Sequence, residues 1–232
     1  MRSDVTRQMN VLEGRKLSIH AVLVKEMSGQ LRFLGSMSST LLDAIQLRYA
    51  CRQFVADRPV PADELALLRE AGRLAPSAFG LEPWRFITVD AAAQRTAIAR
   101  ACFDQPAATS AAAFMVIVAL VAALDPDSDY VRARFEAEAR GQDIAPIMAA
   151  YRAFYRPESI AAWAQGQCNF AAAQMLLQAA HSGLGSCPIG GFEAAALIDA
   201  LAIPAGELPA LVIALGYCGE LKPERIRKPL DA

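Results

Sequence analysis

Apolar residues recur at helical spacing over most of the chain, and three short segments break that rhythm. Leu42, Ile45 and Tyr49 line one face of a helix that Ser38 or Ser39 can cap. After Pro61, which a first helical turn tolerates, Leu65, Leu68 and Leu74 share a face. Residues 91–102, 128–139, 144–154 and 194–201 also read as helical. The longest helix is predicted over residues 158–181, with Gly183 as its C-cap. It is apolar almost all round, through Trp163, Phe170, Met175, Leu176 and Leu177, which places it in the core or an interface. The three runs that break the rhythm are residues 85–89, 114–121 and 208–215, each read as a strand. Few short strands separated by many helices predict an α+β fold of mixed α/β layers.

Residues 1–37 read differently. Segments 17–24 and 31–34 either pair as a hairpin around Ser28-Gly29, or form a loosely held arm, or precede a start at Met37. With no repeats, low-complexity tracts or Gly/Ser linkers, one domain is expected over residues 38–232, with 1–37 as an N-terminal extension.

Composition narrows the function classes. The chain has 232 residues, 54% of them hydrophobic, a share swollen by 47 alanines, and a formal net charge of −1. That balance argues against disorder and against a nucleic-acid binder acting through bulk positive charge. Residues 106–124 carry no charge and nearly reach membrane-spanning length. Their first eight residues are small or weakly polar, however, and the strongly apolar part is only 114–121, which suits a buried strand. The apolar run 17–24 is too short for a signal peptide and holds His20, so a cytoplasmic protein without membrane association is expected. Five widely spaced cysteines without a C-x-x-C pair, and only two histidines, predict neither a metal site nor a disulfide framework. The cysteines read as small buried hydrophobes.

Four segments carry candidate chemistry. Arg48 and Arg52 share a face if the first helix persists that far, forming either an anion site or cations that complement a helix C-terminus. The turn from Pro76 through Ser77, Ala78, Gly80 and Glu82 to Trp84 either offers N–H groups and a hydroxyl to a ligand or merely connects helix to strand. Gly183, Gly185, Gly190 and Gly191 allow close backbone approach to something flat or anionic, although a segment following a helix is not the dinucleotide fingerprint. Within it Cys187 lacks any partner beyond His181 that would make it a nucleophile. In the tail, Lys222, Arg225, Arg227 and Lys228 against Glu224 form a phosphate site or a solvated terminus.

Together, over about residues 39–230, these segments resemble the FMN-dependent nitroreductase family, in particular the bacterial oxygen-insensitive NAD(P)H nitroreductases and dihydropteridine-reductase-like members. The family's R-x-S-x-[KR]-x-F segment corresponds to Arg48, Ala50, Arg52 and Phe54, and its P-S-S-x-N-x-Q-P-W turn to Pro76, Ser77, Ala78, Gly80, Glu82, Pro83 and Trp84. Its G-L-x-x-x-P-I-x-G-F loop corresponds to Gly183, Leu184, Pro188, Ile189, Gly190, Gly191 and Phe192, and its terminal basic-x-R-x-P to Arg225, Arg227 and Pro229. Asp104 or Gln105 stands where the family sets an amide against the flavin pyrimidine. Ala50, Ala78, Gly80, Glu82 and Gly190 depart from the pattern, by losing a hydroxyl or other side chain or by changing charge.

The resemblance implies a mainly antiparallel sheet flanked by helices, an intertwined homodimer and FMN shared between subunits. It implies a ping-pong NAD(P)H oxidoreductase acting on nitroaromatic, quinone or related small acceptors. Arg48, Arg225 and Arg227 would hold the phosphate, Arg52 would stabilise charge near flavin N1 and O2, and Gly190 and Gly191 would lie at the N5 edge. No side-chain acid or base is implied. The substitutions leave open another flavin reaction (enone reduction, heterocycle dehydrogenation, dehalogenation) or a non-catalytic flavin-binding protein.

Overall fold

The computed structural model describes residues 40–230, and the backbone alone over 20–25 and 31–37. Strands β1 (His20–Lys25) and β2 (Leu31–Met37) pair antiparallel with Val24 opposite Arg32, as a hairpin requires. The predicted turn at Ser28-Gly29 lies outside the described residues.

Helix α1 (Leu41–Leu47) is capped by Thr40, whereas Ser38 and Ser39, the expected caps, are not among the described residues. Thr40 Oγ1 accepts from the Asp43 N–H and Asp43 Oδ2 from the Thr40 N–H, a reciprocal capping box. The helix stops at Leu47 and Arg48 is extended, so Arg48 and Arg52 do not share a helical face. The expected apolar face is not core either: Leu42 is 60% exposed and Ile45 38%. In α2 (Ala62–Arg73) Leu65 and Leu68 are buried as predicted, but Leu74 falls just past the helix end and is exposed.

A four-stranded antiparallel sheet forms the centre, in the order β3 (Trp84–Val89), β4 (Ala113–Leu120), β6 (Glu207–Gly216), β5 (Gly185–Ile189). Strand β4 is uncharged because both its faces are covered. Ala113, Met115, Ile117 and Ala119 join one core cluster, while Phe114, Val116 and Val118 join the other. The period-2 alternation of a strand thus accounts for an unbroken apolar run. The stretch 106–124 folds as a short helix α3 (Pro106–Thr109), β4 and a 3-10 turn. No helix among the described residues is long and apolar enough to cross a membrane.

Helix α4 (Ala92–Ala101) packs against α5 (Ala194–Leu201), and their buried Ile98 and Leu197 belong to the second cluster. Helices α6 (Asp129–Ala139) and α7 (Ala145–Phe154) border the first. The long helix α8 (Ile160–His181) crosses that face of the sheet, with Ala164, Cys168, Ala171, Ala172, Met175 and Ala179 buried. It ends in a Schellman motif: Gly183 has φ +72°, its N–H donates to the Ala180 carbonyl, and the Leu184 N–H donates to that of Ala179. Strand β5 was not expected, since Gly185 and Pro188 argue against a strand. It is an edge strand, where proline is tolerated. We predict that Ile117→Ala, at a fully buried site in mid-sheet, costs about 2–5 kcal/mol, read as a lower denaturation midpoint.

Candidate functional site

The first half of the site is a backbone strap. Beyond α1 the chain runs extended, so that Ala50 bridges Ser186 in β5 and the Cys51 N–H donates to the Ser186 carbonyl. Pairing with the sheet edge takes the place of further helical turns. Where β6 ends, Tyr217 to Gly219 turns back along the same segment: the Val55 N–H donates to the Tyr217 carbonyl at 2.8 Å and the Gly219 N–H to that of Gln53 at 2.8 Å. Cys51 and Cys218, with Cα atoms 5.9 Å apart, form a disulfide. These two cysteines are therefore not the simple buried hydrophobes expected. At a sequence separation of 167, only the strap brings them together. The remaining cysteines are free and buried. Burial pushes the Cys102 thiol up to about 11 and the Cys168 thiol to about 12. Burial also raises Cys187, against a smaller opposing pull from Arg52, so it is no ready nucleophile.

Side chains of the C-terminal segment secure the strap further. Glu220 Oε1 accepts the Arg52 N–H at 2.6 Å, and the Tyr49 hydroxyl donates to the Glu220 carbonyl. Lys222 and Arg225 donate to the Gln46 carbonyl, and Arg225 also to that of Arg48, where the end of α1 favours cations. Three of the predicted residues, Arg48, Arg225 and Arg227, are thus gathered at one place, and the Arg52 backbone is tied to the same tail. Among the described residues none of these four guanidiniums has a carboxylate within ion-pairing distance. Arg48 sits below the usual arginine range, first because it is partly buried and then because Arg225 and Arg227 repel its charge. Cations held together against their repulsion are an arrangement that a bound anion would relieve.

Strand β5 carries Pro188 and Ile189 to the neighbouring edge, followed by the exposed Gly190 and Gly191. Gln105 Nε2 donates to the Gly191 carbonyl at 3.1 Å and to that of Cys102 at 3.0 Å, joining the predicted Gln105 to the predicted glycines. A Cβ at Gly190 would meet nothing in this chain, and one at Gly191 only Gln105 Nε2, at 3.9 Å. The fold itself does not require glycine at either position.

The second half, the turn at Pro76, Ser77, Ala78 and Gly80, is built elsewhere. Ser77 Oγ accepts the Glu82 N–H at 2.8 Å, and the Ala78 N–H donates to Gln167 Oε1 at 2.9 Å. Phe79, Gly80 and Glu82 all have positive φ. Arg134 holds the turn by donating twice to the Gly80 carbonyl and pairing with Glu82 at 2.5 Å. The acid that breaks the family pattern is therefore neutralised within the chain. Arg134 was not expected, because its partner lies 52 residues away and α6 gives no local signal for it. Phe79 packs against Tyr151 and Phe154, and Phe154 against Trp163. Among the described residues no hydrogen bond or ion pair joins this turn to the arginine cluster.

The family model of the nitroreductase family matches residues 45–217, which span the strap, the turn and the glycine edge. A Staphylococcus saprophyticus protein, named by inference as a NAD(P)H nitroreductase, is 27% identical over 213 residues, covering 85% of this chain and 97% of its own. A protein of Exiguobacterium sibiricum, named by inference as a nitroreductase and solved in complex with FMN, superposes with a TM-score of 0.72 at 19% identity, over 85% of this chain and 97% of that one. A nitroreductase-like protein of Streptococcus mutans superposes with a TM-score of 0.74 at 20% identity, over 82% and 94%. With the family model spanning most of the chain and the fold shared, this chain belongs to the nitroreductase family.

Proposed function

We propose that this protein is a cytoplasmic FMN-dependent NAD(P)H oxidoreductase that reduces nitroaromatic, quinone or related small acceptors. The observation that carries the reading is the cluster of guanidiniums without carboxylate partners among the described residues, beside an open glycine edge that the fold does not explain. A phosphate answers the first feature and the edge of a flat ring answers the second. The chemistry that bound FMN would supply is two-electron transfer, from NAD(P)H in one half-reaction and to an acceptor in the next. Arg48 and Arg227 hold the phosphate. Arg225, already committed to two carbonyls, positions Arg48 and adds charge. Arg52, whose backbone is fixed by Glu220, offers its side chain to negative charge developing on the ring. Gln105 orients Gly191, and Ala50, Pro188, Ile189 and Gly190 form the floor beside it.

Pro76, Ser77, Ala78 and Gly80 complete the site from a second copy: the partner subunit's Ser77 meets these arginines in a homodimer. Support comes from the separation of the two halves within one chain. Further support is the exposure of Leu41, Leu42 and Ile45 on α1 and of Phe170 on α8, an apolar surface of the kind obligate dimers bury. Sedimentation at micromolar concentration should show a dimer; a flavin-loaded monomer would end the shared-site assignment.

The main test is direct. The purified protein should absorb in the visible and release one FMN per chain on denaturation, and NADH or NADPH should bleach it anaerobically. A colourless protein that cannot be reconstituted defeats the reading. A yellow one that no nucleotide reduces points instead to a flavin-binding role without catalysis. Residues 1–37 precede every segment assigned here and leave the Thr40 cap intact. Their deletion should therefore preserve flavin content and turnover, both measurable by absorbance.

A further inference from the structure

The Cys51–Cys218 pair lies between the two arms of the arginine cluster. Cys51 stands between Arg48 and Arg52, and Cys218 begins the segment that carries Arg225 and Arg227. The geometry around it is built. The antiparallel bridge Phe54–Cys218 and its flanking backbone hydrogen bonds fix the Cα atoms 5.9 Å apart, within disulfide range. A Cβ on Gly185 would run into Cys218 Sγ, and one on Gly216 into the Phe54 ring, so both glycines make room for the bridge. Beyond Gly219 the described residues, up to 230, form no helix or strand, and Leu221 and Ile226 are about as exposed as free side chains, at 84% and 85%. Among the described residues its attachment to the body therefore depends on the disulfide, the hydrogen bonds that Glu220 accepts and those that Lys222 and Arg225 donate. Like charges meet across that attachment and push it apart.

We propose that Cys51 and Cys218 form a reversible redox latch that clamps the C-terminal segment against residues 46–54, and so sets how firmly the cluster retains the anionic end of its ligand. The ligand part rests on the function proposed above, and a disulfide in a cytoplasmic protein is characteristically a transient or sensing one. Closure proceeds by exchange with a small-molecule disulfide. Cys218, half-buried, is the point of entry, because Cys51 is fully buried. The Cys218 thiolate attacks the small disulfide, forming a mixed disulfide and releasing one thiol. The Cys51 thiolate then displaces the second thiol and closes the bridge. Two protein thiols are oxidised, one small disulfide is reduced to two thiols, and the two protons leave with them. A dithiol reverses the sequence, attacking first at Cys218.

The latch predicts three linked changes in the full-length protein. Treatment with oxidised glutathione, compared with dithiothreitol, should remove two of the five alkylatable thiols counted after denaturation. It should slow tryptic cleavage after Arg225. It should also lower the dissociation constant for added FMN, by roughly tenfold, since the cluster is then preorganised. Cys218→Ser and, as a second variant, Cys51→Ser should behave like the reduced protein under both conditions. The proposal is overturned if all five thiols stay reactive. It is equally overturned if the bridge closes but neither cleavage after Arg225 nor FMN retention changes. If FMN binds in neither state, the functional reading fails, and the latch is decided by thiol count and tryptic cleavage alone.

Discussion

Arg227→Ala is expected to release FMN while leaving turnover per bound flavin nearly unchanged. The Arg227 guanidinium is exposed, and the one hydrogen bond it makes among the described residues is to the carbonyl of its neighbour Ile226. It adds to the repulsion felt at Arg48. Removing it therefore costs the fold little and the anion site a charged donor. A charge-assisted hydrogen bond is worth about 1.5–3 kcal/mol, or roughly tenfold to over a hundredfold in affinity. Fluorescence titration of the reconstituted protein reads the loss, and rates normalised to bound flavin read the rest. Arg225→Ala provides the contrast. It also removes donors to the Gln46 and Arg48 carbonyls, so its flavin loss should come with earlier thermal unfolding. An Arg227→Ala protein with undiminished FMN affinity would remove the tail from the site.

How much of this fold and site is legible in the sequence follows the range of the forces involved. Strand β4 was legible because both its faces are apolar, a property written in consecutive residues. The end of α8 was legible because Gly183 supplies the left-handed turn where the helix stops. Strand β5 was not, since its extended form comes from pairing with β6, Cys187 opposite Ala214, and not from its own glycine and proline. The same edge overrode a local expectation at Arg48, where pairing of Ala50 and Cys51 with Ser186 ended α1 early. In the candidate site, the arginines and glycines stood out as residue types in ordered segments. Arg134, which neutralises Glu82, and Cys218, which bridges to Cys51, depend on partners 52 and 167 residues away. Nothing local marks such pairs.

Arg52→Ala should separate charge stabilisation from anchoring. Glu220 holds the Arg52 backbone N–H, so the main-chain position survives loss of the side chain. With no ion pair to Arg52 among the described residues, its charge is available to a ligand. If that charge faces the negative charge that appears only as the bound flavin is reduced, its loss slows reduction more than it weakens binding. The size of the effect reports the surroundings. A donor aimed at developing charge in a site closed from water is worth on the order of a hundredfold or more in rate. The same charge left in water is largely screened and worth only a few-fold. Arg52 is exposed in the single chain, so a hundredfold effect requires the second subunit to cover it. Anaerobic stopped-flow reduction by NADH or NADPH measures this rate, and the midpoint potential of the bound flavin should fall in parallel. Arg52→Lys should restore part of both, because a point charge serves where two-pronged geometry is not needed. Should Arg52→Ala lose flavin yet reduce what remains at the normal rate, Arg52 is an anchor like Arg48 and Arg227. The charge on the reduced ring would then need a different partner.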